Sequence, residues 1–216
     1  MLGNDVVDFH IDEQKYNNPR FINRILTRQE QHHLKQSTNP NRFLWSLWAA
    51  KEAAYKALQR NNTELIFSPV TLTVSETTLQ QLLLHDIHET LYGQVQYQEH
   101  HINLKFEWPK ATVVHCLALT HSQVSKWYSI KSKARYVNNL TSYQQQSQAV
   151  RELAQELLQQ HHINAKISRP IITMNGYQKS GPPILTDNTS GQVLPHIISL
   201  SHDNQYLAAA VYLKQT

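Results

Sequence analysis

Three segments of the chain carry apolar residues at helical spacing, and the sequence predicts helices over residues 20–35, 42–58 and 143–162. In the first segment, Thr27 followed by Glu30 forms a capping-box pattern, so a second helical piece should begin there. The middle segment places an inward stripe of Phe, Leu and Ala along a long helix. The third has Val150, Leu153 and Leu157 on one face and many glutamines on the other.

Other segments alternate apolar and polar residues, which is typical of half-buried strands. The sequence predicts an N-terminal strand over residues 2–9, then strands over 69–74, 93–97, 101–106 and 113–119. Residues 197–200 and 206–213 should form a closing hairpin about Asp203 and Asn204, with the glycine- and proline-rich stretch before them mostly loop. Short connections between these runs favour antiparallel sheets, and thus an α+β fold.

A cluster of Lys and Arg within residues 125–140 suggests a boundary between two halves, each with a helix and strands. We expect one lobe over residues 1–130 and another over residues 131–216, together forming one functional unit. A chain of 216 residues is long enough for either a single core or two small ones.

Composition narrows the class of protein. The net charge of +4 with only 17% charged residues permits an acidic partner or a phosphate-rich ligand. It lacks the dense basic stripe of a nucleic-acid binder, and no apolar run is long enough for a membrane span. Without a signal-peptide pattern at the N-terminus, we expect a cytoplasmic protein. Cys116 lies in an apolar run and should be buried, whereas the adjacent histidine pairs are expected at the surface.

The sequence Trp48-Ala-Ala-Lys-Glu-Ala-Ala-Tyr-Lys56 carries the first chemical signal. Glu52 and Lys56 are four residues apart in a predicted helix, so their side chains share one face. A carboxylate able to bind a metal beside an ammonium able to bind phosphate suits phosphoryl chemistry. The alternative is an ordinary surface ion pair, which contributes only about 0.2–0.5 kcal/mol.

Two further segments carry candidate ligands. Gly3, Asp5 and Asp8 lie on the N-terminal strand, where the carboxylates offer the hard oxygen ligands that Mg²⁺ prefers. Near the C-terminus, Ser201 and His202 stand where an apolar strand enters a turn, and both could bind phosphate oxygens. Taken alone, the first segment could be a strand with solvated acids and the second an ordinary turn.

Taken in order, these motifs resemble the 4′-phosphopantetheinyl transferase superfamily, in its holo-acyl-carrier-protein synthase branch. The Gly-x-Asp-x-x-Glu opening is matched by Gly3, Asp5 and Asp8. The Arg-Phe-x-x-Arg-Ile-Leu-Thr-x-x-Glu stretch is matched from Arg20 to Glu30, and the Ala-Ala-Lys-Glu-Ala helix from Ala49. The closing Ser-x-Ser-His motif is matched by residues 199–202.

Several features depart from that branch. Asp8 stands where Glu is usual, and Leu47 stands where an arginine often offers a phosphate contact. The chain is also much longer than the short, trimeric synthases of this branch. The resemblance therefore implies a pseudo-dimer of two helix-plus-antiparallel-sheet lobes, with the site between lobes of a single monomeric chain.

The resemblance also implies a reaction: transfer of 4′-phosphopantetheine from coenzyme A to a serine of an apo acyl or peptidyl carrier protein. Mg²⁺ would be held by Asp5 and Glu52, with Asp8 as a further candidate. Glu52 and Lys56 would be catalytic, the first as base and the second on the phosphates. Lys51, Lys56, Ser201 and His202 would contact coenzyme A. Arg20 and Arg24 would face the acidic recognition helix of the carrier.

An alternative within the same fold is a non-catalytic module that binds coenzyme A or a carrier protein, an interpretation that Asp8 and Leu47 keep open. The carrier could serve fatty-acid, polyketide or peptide synthesis. Mg²⁺ and Mn²⁺ use the same oxygen ligands, so the sequence does not choose between them.

Overall fold

The computed structural model describes residues 1–10, 14–84, 89–120, 124–174 and 176–214. Within these residues it contains five α-helices: α1 Pro19–Ile25, α2 Arg28–Gln36, α3 Pro40–Gln59, α4 Glu76–Leu84 and α5 Tyr143–Gln160. The strands of the first half are β1 Leu2–Asp8, β2 Thr73–Val74, β3 Leu91–Tyr97, β4 His100–Lys110 and β5 Val113–Leu119. Those of the second half are β6 Ile130–Tyr136, β7 Ala165–Ser168, β8 Ile171–Met174, β9 Tyr177–Ser180, β10 Ile184–Asp187, β11 Ile197–Asp203 and β12 Tyr206–Tyr212. The fold is therefore mixed α+β, and none of the described helices is both long and apolar enough to cross a membrane.

The first half is an antiparallel sheet covered by α3. Its strand order is β1-β5-β4-β3-β2, and the apolar face of α3 packs against it. Gly3 allows this close packing, because a Cβ placed there would lie 2.0 Å from the Ala53 carbonyl oxygen and 2.7 Å from the Ala57 nitrogen. Only a glycine facing small helix residues permits such an approach. The approach also brings the next residue on that strand face, Asp5, to the α3 side chains.

Side-chain caps define the helix starts in this half, and the cap of α2 was predicted from the sequence. Thr27 accepts a hydrogen bond from the Glu30 nitrogen, and the Glu30 carboxylate accepts one from the Thr27 nitrogen, which confirms the capping box. α3 begins with Asn39 as its N-cap and Pro40 in its first turn. These caps separate α1 from α2 and fix where the long helix begins.

The second half also contains a helix packed on an antiparallel sheet. Strands β11, β12 and β6 form a three-stranded sheet, and α5 packs on one face of it. Two small two-stranded sheets, β10-β7 and β8-β9, lie beside it. Ser142 is the N-cap of α5: its hydroxyl accepts a hydrogen bond from the Gln145 nitrogen, and Gln145 Oε1 accepts one from the Ser142 nitrogen.

The two halves meet along the free edge of β1. Instead of a backbone ladder, side chains of β11 accept hydrogen bonds from alternate β1 nitrogens. The pairs are Asn4 with Ser199 Oγ at 2.9 Å, Val6 with Ser201 Oγ at 3.1 Å, and Asp8 with Asp203 Oδ2 at 2.8 Å. This side-chain ladder covers an edge that would otherwise expose unpaired N–H groups. Arg60, which follows α3, also joins the halves by donating to the carbonyl oxygens of Leu2, Pro183 and Ile198.

Most predicted elements are confirmed, but some were wrong or missed. Residues 69–74 form a short 3-10 turn and only two strand residues, and α4 was missed because its apolar run is short. β6 was taken for a boundary because Lys131, Lys133 and Arg135 alternate with smaller residues. Cys116 is buried as expected. His33, expected at the surface, is buried between the Gln29 carbonyl and Glu76.

Candidate active site

A cleft of about 820 Å³ opens where β1 and α3 of the first half face β11 and α5 of the second. From the first half, Asp5, Glu52 and Lys56 line it, and from the second, Arg151, Arg169 and His202. Predicted site residues from the two ends of the sequence thus lie in one cleft, although Lys51, Arg20 and Arg24 do not line it. A cleft lined by carboxylates and cationic side chains can bind a phosphate-rich ligand and a cation together.

Asp5 and Lys56 form the centre of this cleft. Lys56 Nζ lies 2.7 Å from Asp5 Oδ1, and the side chains are 28% and 9% exposed. Burial alone would lower the pKa of Lys56, but the carboxylates of Asp5 and Glu52 outweigh it and raise that pKa. The ammonium therefore stays charged at neutral pH.

Glu52 lies one helical turn before Lys56 and is half-buried. Its pKa is raised from 4.5 to about 7, chiefly because burial disfavours the carboxylate, with a further contribution from the charge of Asp5 and an opposing one from Lys56. No salt bridge or hydrogen bond joins the Glu52 carboxylate to another described residue. A carboxyl group with a pKa near 7 can accept a proton at neutral pH, and a nearby cation would stabilise its ionised form.

Asp5 and Glu52 are suited to a divalent cation. Mg²⁺ commonly takes one or two protein carboxylates and completes its shell with water and substrate phosphates. A cation between them would relieve the burial and repulsion that raise the Glu52 pKa. Among the described residues, no group of three or more His, Cys, Asp or Glu side chains could hold a metal ion.

Asp8 does not join this pair. Residues three apart in a strand project to opposite faces, so Asp8 and Asp5 diverge from β1. Asp8 Oδ1 accepts a hydrogen bond from the His10 nitrogen at 3.2 Å, and the Asp8 nitrogen donates to Asp203. Asp8 lines the rim of the cleft, but the geometry favours a local turn role over the metal contact expected from the sequence.

Ser201 and His202 are adjacent on β11 and therefore face different elements. Ser201 points towards β1, where its hydroxyl donates to Asp5 Oδ1 at 2.7 Å. His202 lies beside the start of α5, with its ring 5.0 Å from that of Tyr143. Burial, together with the charges of Lys56 and Arg169, lowers the pKa of His202. At neutral pH its imidazole is therefore neutral.

Two residues of α3 that the sequence linked to phosphate binding face away from the cleft. Lys51 is fully buried, and its ammonium donates to Glu30 Oε2 at 2.6 Å and to the Ile25 carbonyl at 2.8 Å. Lys51 lies on α3 five residues before Lys56, so the two side chains project from different sides of the helix. Leu47 is also fully buried in the core, so the leucine fills core volume rather than removing a contact from the cleft. Both positions therefore have structural roles, Lys51 in a buried ion pair and Leu47 in the hydrophobic core.

Arg20 and Arg24 lie on α1, and both are exposed. Neither lines the cleft, but Phe21 of the same helix does. α1 therefore forms part of the cleft wall and turns its arginines to the outer surface. This placement is compatible with the expected contact to an acidic partner at the cleft mouth.

Sequence reasoning missed Arg151 and Arg169. Arg151 follows Tyr143 and Ser147 at four-residue intervals along α5, and all three line the cleft. This polar stripe on α5 could have been recognised in the sequence as one side of a site. Arg169 follows β7 in a short connection, and its charge acts on both Lys56 and His202. No local pattern marks it, because only the packing of the two halves brings it there.

Comparison with known proteins identifies the family. Residues 1–118, more than half of the chain, match the sequence profile of the 4′-phosphopantetheinyl transferase superfamily. The matched part covers β1 to β5 and contains Asp5, Glu52 and Lys56. The chain therefore belongs to the 4′-phosphopantetheinyl transferase superfamily, and the family supports a transferase of the phosphopantetheinyl kind. Among curated proteins, none matches this chain.

Proposed function

We propose that the protein transfers 4′-phosphopantetheine from coenzyme A to a serine of an apo acyl or peptidyl carrier protein, as holo-acyl-carrier-protein synthases do, releasing adenosine 3′,5′-bisphosphate. One observation carries the proposal: Asp5, Glu52 and Lys56 meet His202, from the far end of the chain, in one cleft. The family membership supports the same chemistry.

In this proposal, Mg²⁺ would be held by Asp5 and Glu52. When bound, it would offset negative charge on the pyrophosphate of coenzyme A. The raised pKa of Glu52 supports the assignment, because burial and the charge of Asp5 disfavour its carboxylate form, which a cation would stabilise.

Cationic side chains would hold the phosphates of coenzyme A. Lys56 is charged, contacts Asp5 and interacts electrostatically with Glu52, so it would stabilise the negative charge that grows on the leaving group. Arg151 and Arg169 line the second-half wall and take the place that the sequence gave to Lys51. His202 would donate a hydrogen bond there, and a phosphate beside it would favour its charged form.

Glu52 would act as the base for the carrier serine. Its carboxylate takes the hydroxyl proton as the serine oxygen bonds to the phosphorus that carries pantetheine, while the bond to adenosine 3′,5′-bisphosphate breaks. A bound cation would offset the burial that raises the Glu52 pKa, so the carboxylate would be ionised at neutral pH and able to accept this proton.

The pseudo-dimer is part of the proposal. Each half has a helix on an antiparallel sheet, with α3 in the first and α5 in the second. The side-chain ladder between β1 and β11 joins these halves within one chain. A site assembled in this way would need no second subunit, in keeping with a monomer.

A labelling assay tests the proposal. The full chain is incubated with fluorescent coenzyme A, Mg²⁺ and a panel of apo carriers from fatty-acid, polyketide and peptide pathways. We expect covalent label on at least one carrier, and none after chelation of Mg²⁺. Glu52→Ala and Asp5→Ala should abolish labelling while Glu64→Ala, at an exposed site just past α3, should not.

Circular dichroism would confirm that the inactive variants are folded. No label on any carrier with the wild-type chain would overturn transfer and favour a binding module. Near-wild-type labelling by folded Glu52→Ala would refute the assigned roles of Glu52.

A further inference from the structure

We infer that Ser201 is a positioning residue that orients the Asp5 carboxylate, rather than a direct contact to coenzyme A. The inference rests on the proposed function, since it assigns Asp5 to the metal. Through this contact, the closing Ser-x-Ser-His motif in the second half of the chain would orient a metal-binding carboxylate in the first half.

The hydrogen-bond capacity of Ser201 supports this role. A serine hydroxyl has one donor hydrogen and two acceptor lone pairs. The Ser201 hydroxyl donates to Asp5 Oδ1 at 2.7 Å and accepts from the Val6 nitrogen at 3.1 Å. Lys56 Nζ approaches the remaining lone pair at 3.4 Å. A phosphate oxygen needs a donor, and the one donor of Ser201 is already bound to Asp5.

The contacts also determine which Asp5 oxygen faces a ligand. Oδ1 accepts from both Ser201 and Lys56, whereas no described residue donates to Oδ2. Ser201 is itself fixed, because it is buried and held by the backbone of β1. The carboxylate therefore keeps one oxygen for the protein and presents the other. Partners of this kind around a metal ligand typically alter metal affinity or activity by about 10- to 100-fold when removed.

Ser199 provides a matched control. It is buried to the same degree as Ser201, lies two residues earlier on the same face of β11, and accepts a hydrogen bond from the Asn4 nitrogen at 2.9 Å. It makes no hydrogen bond with Asp5. Ser199→Ala and Ser201→Ala thus each remove one bond of the same ladder, but only the second frees the carboxylate.

The test measures metal binding directly. The full-length wild-type protein and the two variants are titrated with Mn²⁺, a spectroscopic substitute for Mg²⁺, and free Mn²⁺ is followed by electron paramagnetic resonance. We expect Ser201→Ala to weaken Mn²⁺ binding by about tenfold or more and Ser199→Ala to leave it near wild type. Ser201→Cys, which keeps a weaker donor, should be intermediate. The melting temperatures of the two alanine variants should be similar.

Steady-state kinetics separates the alternatives. Ser201→Ala should raise the Mg²⁺ concentration needed for half-maximal transfer and leave KM for coenzyme A at saturating Mg²⁺ little changed. Equal losses of Mn²⁺ affinity in both alanine variants, or no Mn²⁺ binding by the wild type, would overturn the inference. So would a raised KM for coenzyme A with unchanged Mn²⁺ affinity, which would identify a phosphate contact. If no carrier is labelled but Ser201→Ala alone weakens Mn²⁺ binding, the proposed function fails and the positioning role stands.

Discussion

The helix α3 carries two lysine–carboxylate clusters that differ in solvent exposure, in charge balance and in hydrogen bonding. In the sealed cluster, Lys51 pairs with Glu30, and both side chains are fully buried. In the cleft cluster, Lys56 faces Asp5 and Glu52, and Lys56 is 28% exposed. The lysines are five residues apart, so they lie on different sides of the same helix.

The sealed cluster is balanced in charge and hydrogen bonds. Glu30 accepts from Lys51, from the Thr27 nitrogen and from the Val74 nitrogen. Lys51 also donates to the Ile25 carbonyl at the end of α1. The cluster therefore fastens α1, α2 and β2 to α3. Such a buried pair favours one arrangement of the elements around it and strongly disfavours loss of either partner.

The cleft cluster is unbalanced, with two carboxylates for one lysine. Burial and the charge of Asp5 raise the Glu52 pKa to about 7, so the folded protein holds this carboxylate at a cost. A site that binds a cation and moves a proton needs such a poised group. Solvent access and charge imbalance, not the residue types, distinguish the cluster that we propose to be reactive from the structural one.

Lys56→Met should produce the largest effect. Without its ammonium, transfer should fall by on the order of 10²–10³-fold, because the charge on the leaving group is no longer stabilised. The rate constant for carrier labelling at saturating substrates measures the loss. If the variant keeps the wild-type rate, the cleft cluster is not the reactive one and the comparison fails.

Lys51→Met should instead reduce stability. It leaves the buried Glu30 carboxylate without its counter-charge, which costs about 3–5 kcal/mol and should lower Tm by roughly 10 °C. Thermal unfolding measures this, with the exposed Lys35→Met as control. The double variant Lys51→Met with Glu30→Gln should recover part of the loss. Labelling by the folded fraction, well below Tm, should stay close to wild type, and a loss as large as that of Lys56→Met would contradict the structural role.

Glu52→Gln should change how stability depends on pH. The folded pKa of about 7 lies above the ordinary 4.5, so this group favours folding below pH 4.5 and that contribution is lost as the pH rises to 7. A glutamine side chain does not ionise, so this position no longer makes the stability of the variant depend on pH. The variant should match the wild type near pH 4 and exceed it above pH 7 by on the order of 1–3 kcal/mol.

Denaturant unfolding at several pH values, with Mg²⁺ chelated, tests this prediction. Added Mg²⁺ should stabilise the wild type more than the variant, since only the wild type offers both carboxylates. A difference that does not vary with pH would show that the Glu52 carboxylate is not disfavoured in the folded protein.

Arg24→Glu should have the smallest effect. Arg24 is exposed on α1, the helix that the sealed cluster fastens through Ile25. Loss of one exposed ion pair costs about 0.2–1 kcal/mol, so KM for the carrier should rise by a few-fold while KM for coenzyme A stays unchanged. Lys35→Glu, the same charge reversal on α2, is the control. Equal increases in both KM values would argue against a carrier-docking role.

Local sequence patterns determined much of the fold. The Thr27–Glu30 capping box, the long stripe of α3 and the closing hairpin each depend on neighbours in sequence, and each is confirmed. The placement of Glu52 and Lys56 on one side of a helix is equally local. β6 and α4 were not predicted, because basic residues alternate along β6 and the apolar run of α4 is short.

The tertiary structure decided which side chains are buried, which line the cleft and which hydrogen bonds they form. Lys51 and Lys56 sit in one helical motif, but only the packing of α2 against α3 seals the first with Glu30. Likewise, only the meeting of β1 with β11 directs the Ser201 hydroxyl to Asp5, and only the position of α5 brings Arg151 to the cleft. Hydrogen-bond partners distant in sequence, burial and the pKa of Glu52 are properties of that assembly, because each depends on the distances between elements that the sequence pattern leaves open.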